Sequence, residues 1–535
     1  MALQLKKIFT PGVDQIAQNY TVESWHVSQS IDAFTGAADY DILLSGSFSL
    51  TGELENGASN NLAGGIGSHA EGILTTANGN YSHTEGQNSI ASGQYSHAEG
   101  NATQATGENS HAEGASTRAS GVSSHAEGFL TTSSGQYSHA EGVRTSATNV
   151  GSHAEGTGSI ASGISSHAEG WFTTASATGS HAEGFNTLAS GQTSHTEGGF
   201  TTASAIYAHA EGFYTLASNT GSHAEGHYTT ASGIQAHTEG FRTVASGTYS
   251  HAEGMYTLAN GGYNAAHAEG HYTTASAQAS HAEGYFTSAP GWYSHTEGVL
   301  TVANGYFAHA EGSGSVVGLN GYFSHAEGIG STTTAYGAHA EGFRTLASGY
   351  VAHSEGFRTT ASATGSHAEG SGSVASAAYS YAGGMLAQST HVGEWSRSNT
   401  NIGQYGIISL SGTTNGTTPA ELTISGSNYF DIPSNSAYYV DITVMGMGAN
   451  SGVNGNSRVF NKGAVIKNVG GTTSIDGGGS ITMNVVTGSY TALSASAAAD
   501  NTNDRLAIYV TGSTGNTVYW FAKVEYIRLP GINSV

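Results

Sequence analysis

An imidazole and a carboxylate one residue apart can share a proton, hold each other by hydrogen bonding, or ligate a metal ion together. The 535-residue chain presents this pair 22 times, always as His-x-Glu-Gly. The first ten pairs are His69 and Glu71, His83 and Glu85, His97 and Glu99, His111 and Glu113, His125 and Glu127, His139 and Glu141, His153 and Glu155, His167 and Glu169, His181 and Glu183, and His195 and Glu197. The series continues from His209 to His367. Catalysis does not account for it, because an active site occurs once and this motif recurs along most of the chain. Other chemistry is sparse. There is no cysteine, so no thiolate nucleophile, thiolate metal site or disulfide. Gly-x-Gly matches have no following helix to make a phosphate cradle. Asp431, Asp441, Asp476, Asp500 and Asp504 read as turn or surface residues rather than a glycosidase pair. No catalytic residue, metal centre or cofactor is expected.

The elements that carry the pairs follow from their spacing. Nineteen of the 21 intervals between register histidines are 14 residues, and the other two, His251 to His267 and His309 to His325, are 16. Each excess reads as a two-residue insertion at a corner, around Gly261-Gly262 and Leu319-Asn320. The residue before each histidine is Ser or Ala, and the residue after it is Ala, Thr or Ser. In a strand, residues i and i+2 share a face. Ser68 and Ala70 therefore face one way, His69 and Glu71 the other. Thr75-Thr76-Ala77 repeats the small-residue alternation, and Gly72 and Gly79 mark corners. Two short strands and two turns per 14 residues predict an all-β roll with a core of Ala, Ser and Thr. With about two glycines per coil and no 3.6-residue apolar spacing, a helical reading fails.

Outside the register, residues 1–60 contain Trp25, Tyr40-Asp41-Ile42-Leu43-Leu44 and Ser47-Phe48-Ser49-Leu50, and read as a small β cap or attachment module. The shaft spans 61–384. Its pattern ends near Ser380-Tyr381-Ala382-Gly383-Gly384, where Tyr381 takes the histidine slot and Gly383 the glutamate slot. A linker is expected over 385–400. Residues 401–535 show seven strand-like segments: Tyr405–Leu410, Glu421–Ser425, Ala437–Met445, Arg458–Ile466, Ser480–Val486, Arg505–Val510 and Thr517–Leu529. Separated by Gly, Asn and Ser turns, they predict a β-sandwich. The formal charge of −24 argues against nucleic-acid or anionic-membrane partners. With no apolar run of 18 residues and no secretory signal at the start, the expectation is a protein assembled in the cytoplasm without membrane insertion.

The period, corner glycines and small-residue alternation over roughly 60–384 resemble the head repeats of trimeric autotransporter adhesins. That resemblance implies a left-handed parallel β-roll of 14-residue coils, trimerised side by side. In that family the slots held here by His69, Glu71 and their equivalents are apolar and face the threefold axis, so the trimer core here is expected to be polar. The layout of β cap, long repetitive shaft and C-terminal sandwich resembles a bacteriophage tail fibre. It implies a homotrimeric structural fibre of a virion, attached to virion proteins through 1–60 and to a host surface glycan or protein through 401–535. A host-encoded bacterial surface adhesin and a polysaccharide depolymerase fibre are the alternatives.

Three roles compete for the His/Glu columns: a trimer interface, a solvated face and metal ligation. A solvated face should drift among copies, whereas these columns do not vary, which favours the interface. Unpaired ionised carboxylates stacked in a seam would repel, so imidazole partners are expected to offset them. The two positions after each Glu-Gly are rich in large residues, as in Trp171-Phe172, Phe213-Tyr214, His227-Tyr228, Phe241-Arg242, Tyr285-Phe286, Phe343-Arg344 and Phe357-Arg358. Stacking along the corners is the simpler reading of these, and a sugar-binding strip the sharper one. The Thr-x-Ala rows are a poor match for ice binding, because the second slot is usually Ala.

Overall fold

Parallel strands stacked one above the next need a fixed repeat, and the 14-residue period supplies it. A computed structural model describes residues 54–56, 61–262, 265–400, 403–449 and 455–530. It shows a parallel β-solenoid of about 24 coils, followed by antiparallel sheets; among the described residues there is no helix. Each regular coil has a five-residue arm, such as His97–Asn101, His111–Ala115 or His125–Phe129, and a two-residue arm, such as Gln104–Ala105 or Arg118–Ala119. Equivalent residues lie directly opposite in neighbouring coils: His125 with His139, Ala126 with Ala140, Glu127 with Glu141 and Gly128 with Gly142. The attachment module read over 1–60 lies outside the described residues, except for Leu54–Asn56, which pairs in parallel with His69–Glu71.

Parity of side chains builds the core. Ala70, Ala77 and Thr75 are fully buried and Ser68 nearly so. Serine hydroxyls in the slot before the histidine are satisfied locally: Ser68 Oγ donates to the Gly65 carbonyl (2.7 Å), and Ser82 and Ser96 repeat the bond to Gly79 and Gly93. This explains why only Ser or Ala precedes the histidine, since the slot admits a small group that folds back on its own turn. The two long intervals keep the register. His251 still pairs with His267 and Leu258 with Thr274, which leaves the extra residues between Ala259 and His267. The second insertion falls between Val317 and His325 and leaves Leu319 exposed.

The glycine of each Glu-Gly has a steric origin. Gly170 has φ +116°, and a Cβ there would lie 2.2 Å from the carbonyl oxygen of Gly184 in the next coil. The corner residue two further on is also left-handed but carries a side chain: φ is 57° at Phe172, 56° at Tyr214 and 54° at Arg242.

The segment expected to be a linker carries the solenoid onward. Gln388–Ser389 pairs with Val374–Ala375, and Trp395–Ser398 pairs in parallel with Tyr381–Gly384. Trp395–Ser398 then pairs antiparallel with the start of Gln404–Thr414, so the shaft sheet runs directly into the C-terminal region. There, Gln404–Thr414, Val518–Pro530, Ser436–Gly448 and Ser457–Val469 form one antiparallel sheet, extended by Thr472–Ile475 and Asn484–Gly488. The second sheet contains Arg505–Thr511, Ser494–Asp500 and Ser480–Thr482, with Ala420–Glu421 and Phe430–Asp431 on its far edge. Ile408, Phe430, Val440, Ile442, Ile508, Trp520 and Val524 belong to one buried cluster.

Gly170→Ala should destabilise the shaft by roughly 2–4 kcal/mol, combining left-handed strain with overlap against the next coil. Gly262→Ala, whose Cβ would meet nothing within 4 Å, should change stability by no more than about 0.5 kcal/mol. Amide hydrogen exchange in the flanking coils measures both.

Candidate functional site: the imidazole and carboxylate columns

Because every coil is in register, each side chain at one slot stands above its equivalent. Consecutive imidazoles from His69 to His367 stack with ring centroids 4.6–5.0 Å apart, most of them nearly parallel. The stack continues past the last histidine through Tyr381 (5.2 Å) and Trp395 (5.6 Å). Tyr381 donates its hydroxyl to the Glu369 carboxylate. Burial, then that bond, pushes the phenol up to about 12.

The structure places His69, Glu71 and the equivalent pairs on one outward face, half-buried, as the strand parity requires. Within a chain, imidazole Nε2 and carboxylate oxygen stand 3.5 Å apart at His251–Glu253, 3.6 Å at His111–Glu113 and 3.8 Å at His97–Glu99. These separations exceed a hydrogen bond. In all 22 coils Nε2 is shielded and has no hydrogen-bond partner. Neighbouring carboxylates also act on one another: Glu311, and then Glu283, hold the Glu297 carboxyl below its usual range. Glu311 is pushed up to about 7, first by its bond to Glu297 and then by burial.

Burial also pushes the imidazoles down, reinforced by the neighbouring imidazoles and opposed by the glutamates, as at His97, His111, His153 and His223. His209 is brought down to about 4.

The corner aromatics form ladders of their own. Phe200, Tyr214 and Tyr228 stack at 4.7 and 5.0 Å. The Arg242 guanidinium lies 5.5 Å from both Tyr228 and Tyr256, and the stack resumes through Tyr272 and Phe286. Along these ladders ring faces are occupied by the next ring and only edges project, while the preceding residues Phe213 and Tyr285 meet the ladder edge-on. A sugar stacking on an aromatic needs a free face, so these ladders fit corner packing.

Sequence reasoning missed a buried network where the shaft meets the sandwich. The Glu394 carboxylate accepts from the Thr390 amide (2.6 Å), the His391 amide (2.8 Å), His391 Nδ1 (3.1 Å) and the Tyr526 hydroxyl. The Asp431 amide donates to His391 Nε2 (3.1 Å), which fixes the tautomer with the proton on Nδ1. Gln404 Nε2 donates to Tyr526 Oη (2.9 Å). Burial pushes the Glu394 carboxyl up, but the bonds from His391 and Tyr526 outweigh it and hold the group below its usual range. The only trace in sequence is one His/Glu pair at a new spacing, His391 and Glu394, just past the last register coil.

No protein-family model matches this chain, and no curated protein matches it.

The C-terminal acids are engaged in structural bonds. Arg505 bridges Glu421 and Asp500, each at 2.9 Å, and lies over the Tyr429 ring at 3.8 Å. Asp504 accepts from Thr473 Oγ1, Asp441 from Asn461, and Asp476 pairs with Lys467. A shallow groove at the junction is lined by Trp395, Arg397, Asn399, Thr400, Tyr405 and Ile527, and Arg397 is its one charged lining residue.

Imidazoles held below their ordinary value near 6.5 disfavour the charged form in the folded chain. The unfolded chain therefore binds protons first on acidification. Stability should be full above about pH 6.5 and fall progressively toward pH 4, which thermal unfolding followed by circular dichroism at constant ionic strength checks. Glu394→Ala should cost about 3–5 kcal/mol by leaving its buried partners unpaired, and Tyr526→Phe about 1–2 kcal/mol, read by denaturant unfolding with tryptophan fluorescence.

Proposed function

We propose that this chain is the subunit of a homotrimeric structural fibre on a virus particle, of the bacteriophage tail-fibre kind, and not an enzyme. The observation that carries this reading is the His/Glu face. It is uniform along the whole shaft, yet every Nε2 on it is shielded and unpartnered. A surface that repeats every coil needs a partner with the same repeat, and another copy of the chain has it. Three copies packed in parallel around a threefold axis bring the columns together, so that imidazoles and carboxylates of different chains supply the bonds that one chain alone lacks. The thin core supports the same reading, since Ala, Ser and Thr alone bury little apolar surface.

In this fibre the shaft sets reach and stiffness. About 24 coils at the usual strand spacing of about 4.8 Å give a length on the order of 110 Å. The N-terminal 60 residues join the virion. The C-terminal sandwich, whose loops differ from one another where the shaft is uniform, recognises a glycan or protein on the host surface. Its direct sheet continuity with the last coil suits a tip that must transmit position along the shaft. The fibre folds in the host cytoplasm and acts in the released particle.

Sedimentation of the full 54.4 kDa chain at micromolar concentration should give three times the monomer mass; a monomer would overturn the assembly. Replacing Glu155, Glu169 and Glu183 together by Ala should loosen the trimer locally. Replacing those glutamates and His153, His167 and His181 by Ile and Val should be tolerated better, because no buried polar partner is left behind. Differential scanning calorimetry of the two sets decides the point. Deletion of 401–535 should abolish binding to host cells, and undiminished binding by a folded truncation would move recognition to the shaft.

A further inference from the structure

The His/Glu face has a charge problem that its own residues do not solve. Between residues 61 and 384 the chain has 23 glutamates, no aspartate, five arginines and no lysine. Four of the arginines, Arg144, Arg242, Arg344 and Arg358, sit at left-handed corner positions, away from the His/Glu face. Imidazole is largely uncharged at neutral pH. The carboxylate column therefore stands without a fixed cation beside it, one negative group per coil.

The donor atoms have the spacing of a coordination site rather than of a hydrogen bond. His111 Nε2 lies 3.6 Å from Glu113 of its own coil and 4.0 Å from Glu99 of the preceding coil. Glu99 turns its other oxygen to His97 at 3.8 Å, so one carboxylate reaches two imidazoles. The same cross-coil approach recurs at His295 with Glu283 (3.8 Å) and at His325 with Glu311 (3.6 Å). An ion about 2.05 Å from both a nitrogen and an oxygen holds them roughly 3.3–3.8 Å apart at bond angles of about 110–135°, a range that takes in these separations except the 4.0 Å approach of Glu99 to His111. A direct hydrogen bond would draw them below about 3.2 Å.

The imidazole orientation agrees. Nε2 is shielded and unpartnered in every coil. Nδ1 can keep its proton toward water and leave the Nε2 lone pair facing the carboxylates. Triads such as His97, Glu99 and His111, or His153, Glu155 and His167, bring their ligand atoms within 4.8 Å of one another. Imidazole with carboxylate suits borderline first-row divalent ions, whereas Mg2+ and Ca2+ take oxygen ligands.

We propose that the His/Glu face binds a row of divalent first-row transition ions, each held by a glutamate carboxylate together with Nε2 of the imidazole in its own coil or in the next. Each ion carries two positive charges against one carboxylate per coil, so about one ion for every two coils offsets the column. The ligands come from a single chain, so the site does not rest on the trimeric assembly; where an ion sits, it takes the Nε2 in place of a bond across the trimer, and the seam there rests on the packing of the columns.

The test uses Zn2+ as the probe on the full chain after dialysis against chelator. Calorimetric titration with metal analysis of the equilibrated protein should find several Zn2+ per chain, displaced by Ni2+ and not by millimolar Mg2+. The triple variant Glu155→Gln, Glu169→Gln and Glu183→Gln should lose about one or two of them. X-ray absorption of the zinc-loaded parent should show imidazole nitrogen together with oxygen ligands, a readout that does not depend on the variant folding. Uptake below one ion per chain, equal displacement by Mg2+, or a zinc spectrum without imidazole overturns the proposal. Sedimentation in chelator reads the assembly separately: a trimer that takes up no Zn2+ removes the ion row alone, and a monomer that takes it up removes the trimer alone.

Discussion

A Cβ built on the glycine of Glu71-Gly72 would fall 2.1 Å from the carbonyl oxygen of Gly86, and the same approach repeats corner after corner. The coils turn with so little space between them that nothing larger than hydrogen fits at this point. That closeness imposes the rest of the shaft. Backbone hydrogen bonds such as His83 N to Ser96 O (2.9 Å) keep one coil in step with the next. Once the backbones are in step, side chains have no choice but to stack on their equivalents. Imidazole then lies on imidazole, carboxylate near carboxylate, and ring on ring at the corners. The interior is reduced to the volume that Ala, Ser and Thr can fill.

The same constraint explains where large residues go. Tyr214, Tyr228, Tyr256, Tyr272 and Phe286 occupy left-handed corner positions, a conformation that costs an ordinary residue on the order of 1–2 kcal/mol. Each ring recovers part of that cost by stacking on its neighbours, worth roughly 0.5–1.5 kcal/mol per pair beyond area burial. Gly158 and Gly314 adopt the same φ without any ring, at 68° and 66°. Stacking at this corner is therefore a way of tolerating the turn, which glycine achieves by itself.

Much of this was legible in the residues. The 14-residue period and the alternation around His69 and Ala70 are enough to assign coil, corner and inward face, because strand parity admits only one arrangement. Trp395 stands 14 residues after Tyr381 and continues the column, but the residues around it no longer read as Ser-His-Ala-Glu-Gly, which made the last coil look like a linker. The strand at Ser494–Asp500 is hidden because it is built from small residues without the aromatic and β-branched alternation that marks a strand, and Thr472–Ile475 because it is only four residues long between runs of glycine. The network of His391, Glu394, Gln404 and Tyr526 has no local signature at all. Glu394 and Tyr526, bonded to each other, are 132 residues apart, and only the return of Val518–Pro530 beside Gln404–Thr414 brings them together. The gap between imidazole and carboxylate is likewise a matter of side-chain geometry that spacing along the chain does not reveal.

Coils that touch only the coil above and the coil below make this shaft modular in length. Removing or adding one whole 14-residue unit leaves each remaining contact with a partner of the same kind, so register, core and both columns survive the change. A stretch of gene that encodes near-identical units also invites unequal recombination, and each such event would shift the distance between the two ends by one strand spacing of about 4.8 Å. The shaft thus serves as a ruler whose graduation is set by backbone hydrogen bonding, and whose total span selection can tune in single steps without redesigning either end.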